Sequence, residues 1–300
     1  REPYYRNLHC KWQKGAYQII DKANNGNTSV TINGAAKISN VFAGSNQANV
    51  GGKTSLIINE GTITNAYGGN NLSGVISTSI NTQINGGTIT NVYGGGNEAD
   101  TVLGTSIEVS GGTIQNVYGG GNQADVKTSY ITLNGTQKVI NVYGGGYSGN
   151  VTNTTEINFE TGEVEYIYGG GYEGDIASSN ISINNTTVKE EIYGGGYNGD
   201  VSSSTNITLS QSNTKTIYGG GFQGEVLGET NIVLNQTSQV ENIYGGGYAG
   251  DIKTSSIEIM SSQITNNVYG GGNQGNVTGA ASTVIIENSI IGLRDLNVNG

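Results

Sequence analysis

The chain has 300 residues, among them 51 Gly, 18 Tyr and one Cys, and its formal net charge is −10. This negative charge argues against nucleic-acid binding, which depends on Lys and Arg contacts with phosphates. The single Cys excludes an intrachain disulfide. No run of 18 or more apolar residues is present, so insertion into a membrane as a spanning helix is not expected.

The first 28 residues differ in composition from the rest of the chain. They contain five of the 13 basic residues, two of the 23 acidic ones and the only Pro, Cys, His and Trp. Residues 1–28 therefore carry a net charge of +3, whereas residues 29–300, with eight basic and 21 acidic groups, carry −13. We interpret residues 1–28 as an N-terminal arm or cap and residues 29–300 as a repeat domain. The arm is expected either to cap its own first coil or to dock on another copy, and the second arrangement would give head-to-tail filaments.

One pair of residues in the arm, His9 and Cys10, suggests nucleophilic catalysis. Adjacent residues rarely face each other, however, and no third group is placed to orient the imidazole. Catalysis by carboxylates would need a cleft, and no coil carries the long insertion that would build one. We therefore expect that the chain is not an enzyme.

An aromatic residue recurs every 25 or 26 residues along the chain. Two glycines follow it from Tyr67 onward, and three follow it from Tyr93 onward. A fixed period of this length without helical patterning is typical of stacked coils. The series comprises Phe42, Tyr67, Tyr93, Tyr118, Tyr143, Tyr168, Tyr193, Tyr218, Tyr244 and Tyr269.

Residues 104–128 serve as the template of one coil. Apolar and polar residues alternate at its start, with Ile107 and Val109 on one face, and alternation is the period of a β-strand. Two further extended pieces follow, one ending at Asn116 and one running from Val117 through the glycines. A coil of about 25 residues with three strands is too long for a left-handed hexapeptide prism. The sequence therefore predicts an all-β fold, a right-handed parallel β-helix (β-solenoid) of about ten coils.

Asn precedes the Val-Tyr pair in most coils. Its apolar neighbours in the template, Ile114 and Val117, are three positions apart, which breaks strand alternation and predicts a bend. Asn tolerates the left-handed conformation that such a bend is expected to need, and stacked amides can bond to one another from coil to coil. The pattern resembles the asparagine ladder of pectate-lyase-like right-handed β-helices, although Tyr166, Glu191 and Thr216 interrupt it. The predicted ladder comprises Asn40, Asn65, Asn91, Asn116, Asn141, Asn242 and Asn267.

Segments rich in Gly, Thr and Asn, such as residues 86–97, resemble the repeats of adhesin-like surface proteins of bacteria and archaea. The resemblance covers approximately residues 29–291. It implies an extracellular protein with a structural or adhesive role at a cell surface.

Central coils carry a second aromatic residue four positions after the repeating Tyr, and Asn takes that place toward both ends. If Val142 points inward, alternation turns both Tyr143 and Tyr147 outward. Two aromatic rows with a glycine groove between them predict a platform for sugar rings or for a neighbouring rod. Alternatively, the rings stack only with their own copies and stiffen the rod. The predicted platform comprises Tyr143, Tyr147, Tyr168, Tyr172, Tyr193, Tyr197, Tyr218, Phe222, Tyr244 and Tyr248.

Asp, Glu or Asn stands three positions after the second aromatic row. Asp and Asn in such turns commonly accept hydrogen bonds from backbone N–H groups. Carboxylates stacked at the coil spacing would also repel one another, and a shared Ca²⁺ would relieve this repulsion. Because Asn150 and Asn276 occupy the same position, a turn role that needs no charge is the alternative. The candidate Ca²⁺ ligands are Asp100, Asp125, Asp175, Asp200 and Asp251.

The preferred interpretation is an extracellular structural or adhesive β-solenoid of a cell surface or filament, which contacts partners along regular faces and associates with itself. The alternative is a carbohydrate-binding or carbohydrate-cleaving β-helix, similar to a tailspike, with surface glycans as partners. Ca²⁺ is the one cofactor that the sequence suggests.

Overall fold

The computed structural model describes residues 26–292, which wind into a parallel β-solenoid of about 11 turns with roughly 25 residues per turn. The predicted all-β solenoid is confirmed. It has slightly more turns than the aromatic period indicates, because the last turn, residues 283–291, lies beyond Tyr269. Within the described range no helix could carry a hydrophobic span across a bilayer.

Each turn has two strands, and each strand pairs in parallel with its equivalents in the neighbouring turns. Register is kept from turn to turn, so that Ile107 pairs with Ile131 and Ile131 with Ile157. The first strands are β1 (Thr28–Ile32), β3 (Thr54–Ile58), β5 (Ile80–Ile84), β7 (Thr105–Val109), β9 (Ser129–Tyr143), β10 (Val151–Tyr168), β11 (Ile176–Asn184), β13 (Thr205–Ser210), β15 (Val226–Asn235), β17 (Ile252–Met260) and β19 (Thr283–Glu287). The second strands are β2 (Lys37–Phe42), β4 (Thr62–Tyr67), β6 (Thr88–Tyr93), β8 (Thr113–Tyr118), β12 (Val188–Tyr193), β14 (Asn213–Tyr218), β16 (Gln239–Tyr244), β18 (Gln263–Tyr269) and β20 (Ile290–Ile291), while β9 and β10 continue round the corner and supply both strands of their turns.

The third side of each turn is shorter than the predicted third strand. It consists of the glycine segment and one bridging apolar residue, as where Val126 pairs with Val151. A Cβ atom added to Gly145 would lie 2.6 Å from the backbone nitrogen of Gly171, closer than real Cβ contacts allow. The glycines therefore let the backbones of adjacent turns approach closely on this side.

Alternate residues of both strands fill the interior of the solenoid. In β7, Ile107 and Val109 are buried. Ser106 and Glu108, which alternate with them, are exposed. Full burial of such a side chain contributes about 1.5–3 kcal/mol, and the columns repeat this contribution in every turn. A smaller apolar column lines the corner that follows the glycines and comprises Val126, Val151, Ile176, Val201, Val226 and Ile252.

Except in the turn formed by β9, the corner between the two strands of a turn contains a residue with a left-handed backbone. Gly occupies it in early turns, as at Gly87 (φ +93°), and other residues occupy it later, as at Gln211 (φ +52°). No ladder Asn among residues 26–292 has a positive φ, so the prediction of a left-handed Asn at the ladder bend was wrong. The reason is that a strand such as β4 runs through Asn65 without interruption, so the bend there stays within extended backbone.

The two ends of the described solenoid differ in exposure. In β1 the apolar side chains of Val30 and Ile32 are 5% and 2% exposed, whereas those of Val284 and Ile286 in β19 are 41% and 44% exposed. The last described turn therefore presents apolar side chains and a backbone edge to solvent.

Candidate functional site

The repeating tyrosines and Phe42 form one continuous stack of rings, which we call the inner aromatic column. Successive ring centroids are 4.5–5.0 Å apart, and successive ring planes differ by at most 14°. Seven of its tyrosines are only 1–6% exposed, so the column does not offer the open surface that the predicted platform needs. Tyr244 is half-buried and Tyr269 is exposed. The buried members are Tyr67, Tyr93, Tyr118, Tyr143, Tyr168, Tyr193 and Tyr218.

Tyr143 shows how this burial arises. Its neighbour Val142 packs in the interior apolar core, whereas Tyr143 packs in a separate aromatic cluster. Tyr118 and Tyr168 cover the two faces of the Tyr143 ring, each with a centroid distance of 4.9 Å. Tyr172 packs edge-on against the same ring at 5.9 Å and 88°. Neighbouring rings therefore bury the Tyr143 ring in a cluster separate from the apolar core.

Burial also sets the protonation state of the inner aromatic column. Loss of hydration raises the pKa of Tyr67 to about 12 and raises the pKa of the other six buried tyrosines as well. These seven hydroxyl groups therefore stay protonated to a higher pH than that of a solvated tyrosine.

A second stack, the outer aromatic column, runs beside the first over the central turns. Its rings are half-buried and lie 4.7–5.0 Å apart. Each ring also packs edge-on against an inner ring of the preceding turn at 5.8–5.9 Å. Such edge-to-face pairs contribute about 0.5–1.5 kcal/mol beyond area burial. The outer column comprises Tyr147, Tyr172, Tyr197, Phe222 and Tyr248.

This arrangement restricts what the two columns can bind. A sugar ring packs on the face of an aromatic side chain, and here the ring faces are covered by the rings of neighbouring turns. Ring edges and hydroxyl groups of the outer column are the parts that reach solvent. A glycan or a neighbouring rod would therefore meet a row of hydroxyl groups rather than open ring faces.

Tyr193 differs from the other members of the inner aromatic column. Its hydroxyl group donates a hydrogen bond of 2.5 Å to the Oε2 atom of Glu191, which interrupts the Asn ladder. Burial, followed by this hydrogen bond, raises the pKa of the Tyr193 hydroxyl. Sequence reasoning missed this pair, although Glu in place of Asn at position 191 was a visible departure from the repeat.

The row of side chains that includes Asp100, Asp125, Asp175, Asp200 and Asp251, which we call the acidic column, binds the backbone of neighbouring turns. The Oδ1 atom of Asp175 accepts a hydrogen bond of 2.9 Å from the backbone N–H of Asp200, one turn further on. Asn150 makes the same bond to the N–H of Asp175 at 2.9 Å, so a charge is not required. Equivalent bonds of 2.7–2.8 Å are made by Asp100, Asp125, Asp200 and Asp251.

These bonds bear on the candidate Ca²⁺ site. Asp100, Asp125, Asp175, Asp200 and Asp251 all lie in one column, and each uses one carboxylate oxygen to accept a backbone N–H. Within residues 26–292 no group of three or more His, Cys, Asp or Glu side chains has the geometry to hold a metal ion. His9 and Cys10 lie outside the described residues. The geometry therefore supports the turn role of the acidic column.

The ladder asparagines lie in hydrogen-bonded rows. The Nδ2 group of each donates to the Oδ1 atom of the preceding one, at 2.9 Å from Asn65 to Asn40 and at 2.8–2.9 Å along the row to Asn141. Asn267 donates to Asn242 at 3.4 Å beyond the interruption. A second amide row, not foreseen from the sequence, occupies the outer aromatic position of the early turns and comprises Asn46, Asn71, Asn97 and Asn122.

A buried hydroxyl column was also missed. Thr105 donates a hydrogen bond of 2.5 Å to the carbonyl group of Gly119, the first glycine after the Tyr of the same turn. Thr155 and Gly169 repeat this bond at 2.6 Å. The signal in the sequence was a Thr or Ser two positions before the first inward Ile of each turn. Further donors are Ser129, Ser179, Thr205, Thr230 and Ser255.

Charged side chains form short ladders on the surface of the central turns. Lys138 and Lys189 approach Glu163 at 3.9 and 2.8 Å, and Lys215 approaches Glu190 at 2.5 Å. Such exposed pairs contribute little to stability.

Comparison of the chain with models of known protein families, with curated proteins and with solved structures finds no match.

Proposed function

We propose that the chain is a rigid structural rod of an extracellular surface or filament, and that it meets its partners along its length rather than in a pocket. One observation carries the proposal: equivalent side chains stack from turn to turn in columns, and the inner aromatic column runs without a break from Phe42 to Tyr269. The inner aromatic column, the Asn rows and the acidic column all run parallel to the axis. Such repetition stiffens a rod and presents the same chemical group at each turn.

The same columns favour a non-catalytic role. The acidic groups that would act as general acids or bases already accept backbone N–H bonds, as Asp125 does from Asn150 at 2.7 Å. Two open grooves lie along the acidic column, one lined by Glu225, Asp251 and Lys253 and the other by Asn150, Asp175 and Asp200. A hydrolase or lyase would need carboxylates that are free to meet a substrate in a cleft.

The proposal includes end-to-end self-association through the N-terminal arm. The arm has a net charge of +3 and the rest of the chain one of −13, so the two attract each other between copies. The last described turn adds an apolar surface, formed by Val284 and Ile286, that such contact would cover. Residues 1–25 lie outside the described residues.

Two measurements test this function. Antibodies against the purified chain should label intact source cells, and a cytosolic marker protein on the same cells should stay unlabelled. Sedimentation velocity should show assemblies that shrink at high salt and in a full-length variant whose five basic arm residues are replaced by Gln. Labelling only after lysis would overturn the surface role. Monomers at every concentration and salt would overturn the self-association. The replaced residues are Arg1, Arg6, Lys11, Lys14 and Lys22.

A further inference from the structure

Three features coincide at one ring of the inner aromatic column. Tyr193 is the most buried of its tyrosines, at 1% exposure. Among residues 26–292 it is the one tyrosine whose hydroxyl donates to a carboxylate, that of Glu191. Its edge is covered at 5.9 Å by Phe222, the one member of the outer aromatic column without a hydroxyl group. A stack that only stiffens the rod needs none of these departures from the repeat. We therefore examine whether the turn that contains Tyr193 has a chemical role.

The Tyr193–Glu191 pair has the chemistry of a radical site. Removal of one electron from a phenol makes its O–H strongly acidic, so oxidation is easy only where a base takes the proton at once. Glu191 places a carboxylate oxygen 2.5 Å from the Tyr193 oxygen, within the range for proton transfer along a hydrogen bond. The other buried rings of the column have no such base among the described hydrogen bonds.

The column also connects this buried pair to the surface. Tyr193 stacks on Tyr168 at 4.9 Å and 4°, and on Tyr218 at 4.8 Å and 7°. The stack continues from Tyr218 through Tyr244 to the exposed ring of Tyr269, with centroid distances of 4.9 and 4.7 Å. Electron transfer weakens steeply with distance, and rings in van der Waals contact are the shortest steps that a protein offers.

We propose that the inner aromatic column carries oxidising equivalents from the exposed end of the stack to Tyr193, where Glu191 accepts the proton and the radical comes to rest. A one-electron oxidant, of the metal-centred or peroxide-derived class, is reduced by one electron. The Tyr193 O–H bond breaks, the proton bonds to Oε2 of Glu191, and Tyr193 becomes a neutral phenoxyl radical. This activity goes beyond the structural role and does not depend on it.

The stacked geometry also protects such a radical. Two tyrosyl radicals couple by forming a carbon–carbon bond between ring edges, which requires the rings to leave a parallel stack. The rings of Tyr168 and Tyr218 lie parallel to that of Tyr193, and Phe222 shields its edge. A radical on Tyr193 is therefore kept from dityrosine formation and from solvent.

The experiment uses the full chain and photogenerated tris(bipyridine)ruthenium(III), with a cobalt(III) complex as the terminal electron acceptor. Electron paramagnetic resonance after rapid freezing and transient absorption report the tyrosyl radical and its lifetime. We expect a long-lived radical in the unaltered chain. Tyr193→Phe should remove it, and Glu191→Gln, which keeps a hydrogen-bond acceptor but not a base, should lower its yield by about tenfold or more.

Glu241→Gln is the matched control, because Glu241 is an exposed carboxylate on the second strand two turns further on and has no contact with a ring hydroxyl among the described hydrogen bonds. It should leave yield and lifetime unchanged, and circular dichroism should show that all three variants keep the β-structure. Transfer to Glu191 also predicts a slower rise of the radical in D₂O both in the unaltered chain and in Glu241→Gln. An equal yield with Gln at position 191, or an unchanged radical in Tyr193→Phe, would overturn the proposal.

Discussion

The Oδ1 atom of Asp125 accepts a hydrogen bond of 2.7 Å from the backbone N–H of Asn150, which lies 25 residues further along the chain. The side chain thus takes the place of a backbone carbonyl at a corner where the ladder between turns is interrupted. Either Asp or Asn can do this, because both carry an oxygen at the δ1 position.

Replacement of Asp175 tests this role of the acidic column. Asp175→Asn should keep the free energy of unfolding or raise it slightly, since the Oδ1 acceptor stays and repulsion between carboxylates falls. Asp175→Ala should lower it by about 1–2 kcal/mol, because the N–H of Asp200 loses its partner. Urea unfolding followed by circular dichroism measures both. Glu225→Ala is the control, since no bond joins Glu225 to the N–H of Asp251 in the described part of the chain; an equal loss there would contradict this explanation.

The same geometry predicts how the rod responds to divalent cations. We expect that neither EDTA nor added Ca²⁺ shifts the melting temperature, because one oxygen of each column Asp is already bound to backbone. Differential scanning calorimetry of the full chain makes the comparison, with Mg²⁺ as the control for ionic strength. A rise in melting temperature that saturates with Ca²⁺ alone and is lost in Asp175→Asn would restore the cation site.

The glycine segment predicts a steric effect that depends on position within the rod. Gly145→Ala should lower the free energy of unfolding by about 2 kcal/mol or more, because its Cβ would lie 2.6–2.7 Å from backbone atoms of Gly171. Gly271→Ala is the matched control at the same position of a later turn, where the nearest atom, on Val277, is 3.6 Å away. Urea unfolding of the two variants should separate them clearly, and equal losses would contradict the steric explanation.

In the turn that contains β5, the hydroxyl group and the apolar side chain have exchanged positions. Ile80 occupies the hydroxyl column and Thr82 the apolar column between Leu56 and Ile107, and the buried Thr82 hydroxyl has no hydrogen-bond partner. Thr82→Val should therefore raise the free energy of unfolding by about 1 kcal/mol. Thr105→Val should instead lower it by about 1–2 kcal/mol, because the Gly119 carbonyl group loses its donor. Thermal unfolding of both variants measures the two changes in stability. A loss of stability in Thr82→Val would be inconsistent with an unpaired hydroxyl group.

The inner aromatic column makes the fold sensitive to alkali. Burial raises the pKa of Tyr67 to about 12, above its unfolded value of about 10, so the folded chain holds this proton more tightly. The free energy of unfolding should therefore be level below pH about 10 and fall as the pH rises from there through the folded pKa, by at most about 1.4 kcal/mol per pH unit for each such tyrosine. Urea unfolding across this pH range, with tyrosinate absorbance recorded in parallel, provides the measurement. A free energy of unfolding that stays constant up to pH about 12 would show that burial does not raise the pKa of these tyrosines.

The solenoid was predictable because each turn must supply the same strands at the same spacing. Ile107, Ile131 and Ile157 stand at equivalent places in the sequence and pair in the structure. The Asn rows follow from the same regularity. The right-handed sense remains a prediction from coil length.

The burial of the tyrosines was not predictable from alternation. Val142 and Tyr143 are sequence neighbours that pack in separate clusters, and stacking with the rings of adjacent turns buries Tyr143. The hydroxyl column was missed for a related reason. Thr105 is a polar residue and would be expected at the surface, whereas its hydroxyl group donates a hydrogen bond to the Gly119 carbonyl group inside the rod. Contacts of this kind depend on the shape of the corner, which a periodic pattern does not specify.

The parallel ladders also determine how the rod bears mechanical load. The hydrogen bonds between turns run along the axis, so tension applied evenly to the two ends is shared by a whole layer of bonds at once. A pull on one chain terminus instead loads the bonds of the outermost turn one after another and peels it away. The rod should thus resist tension that is spread over both of its ends. It should unfold at a much lower force when one chain terminus alone is pulled.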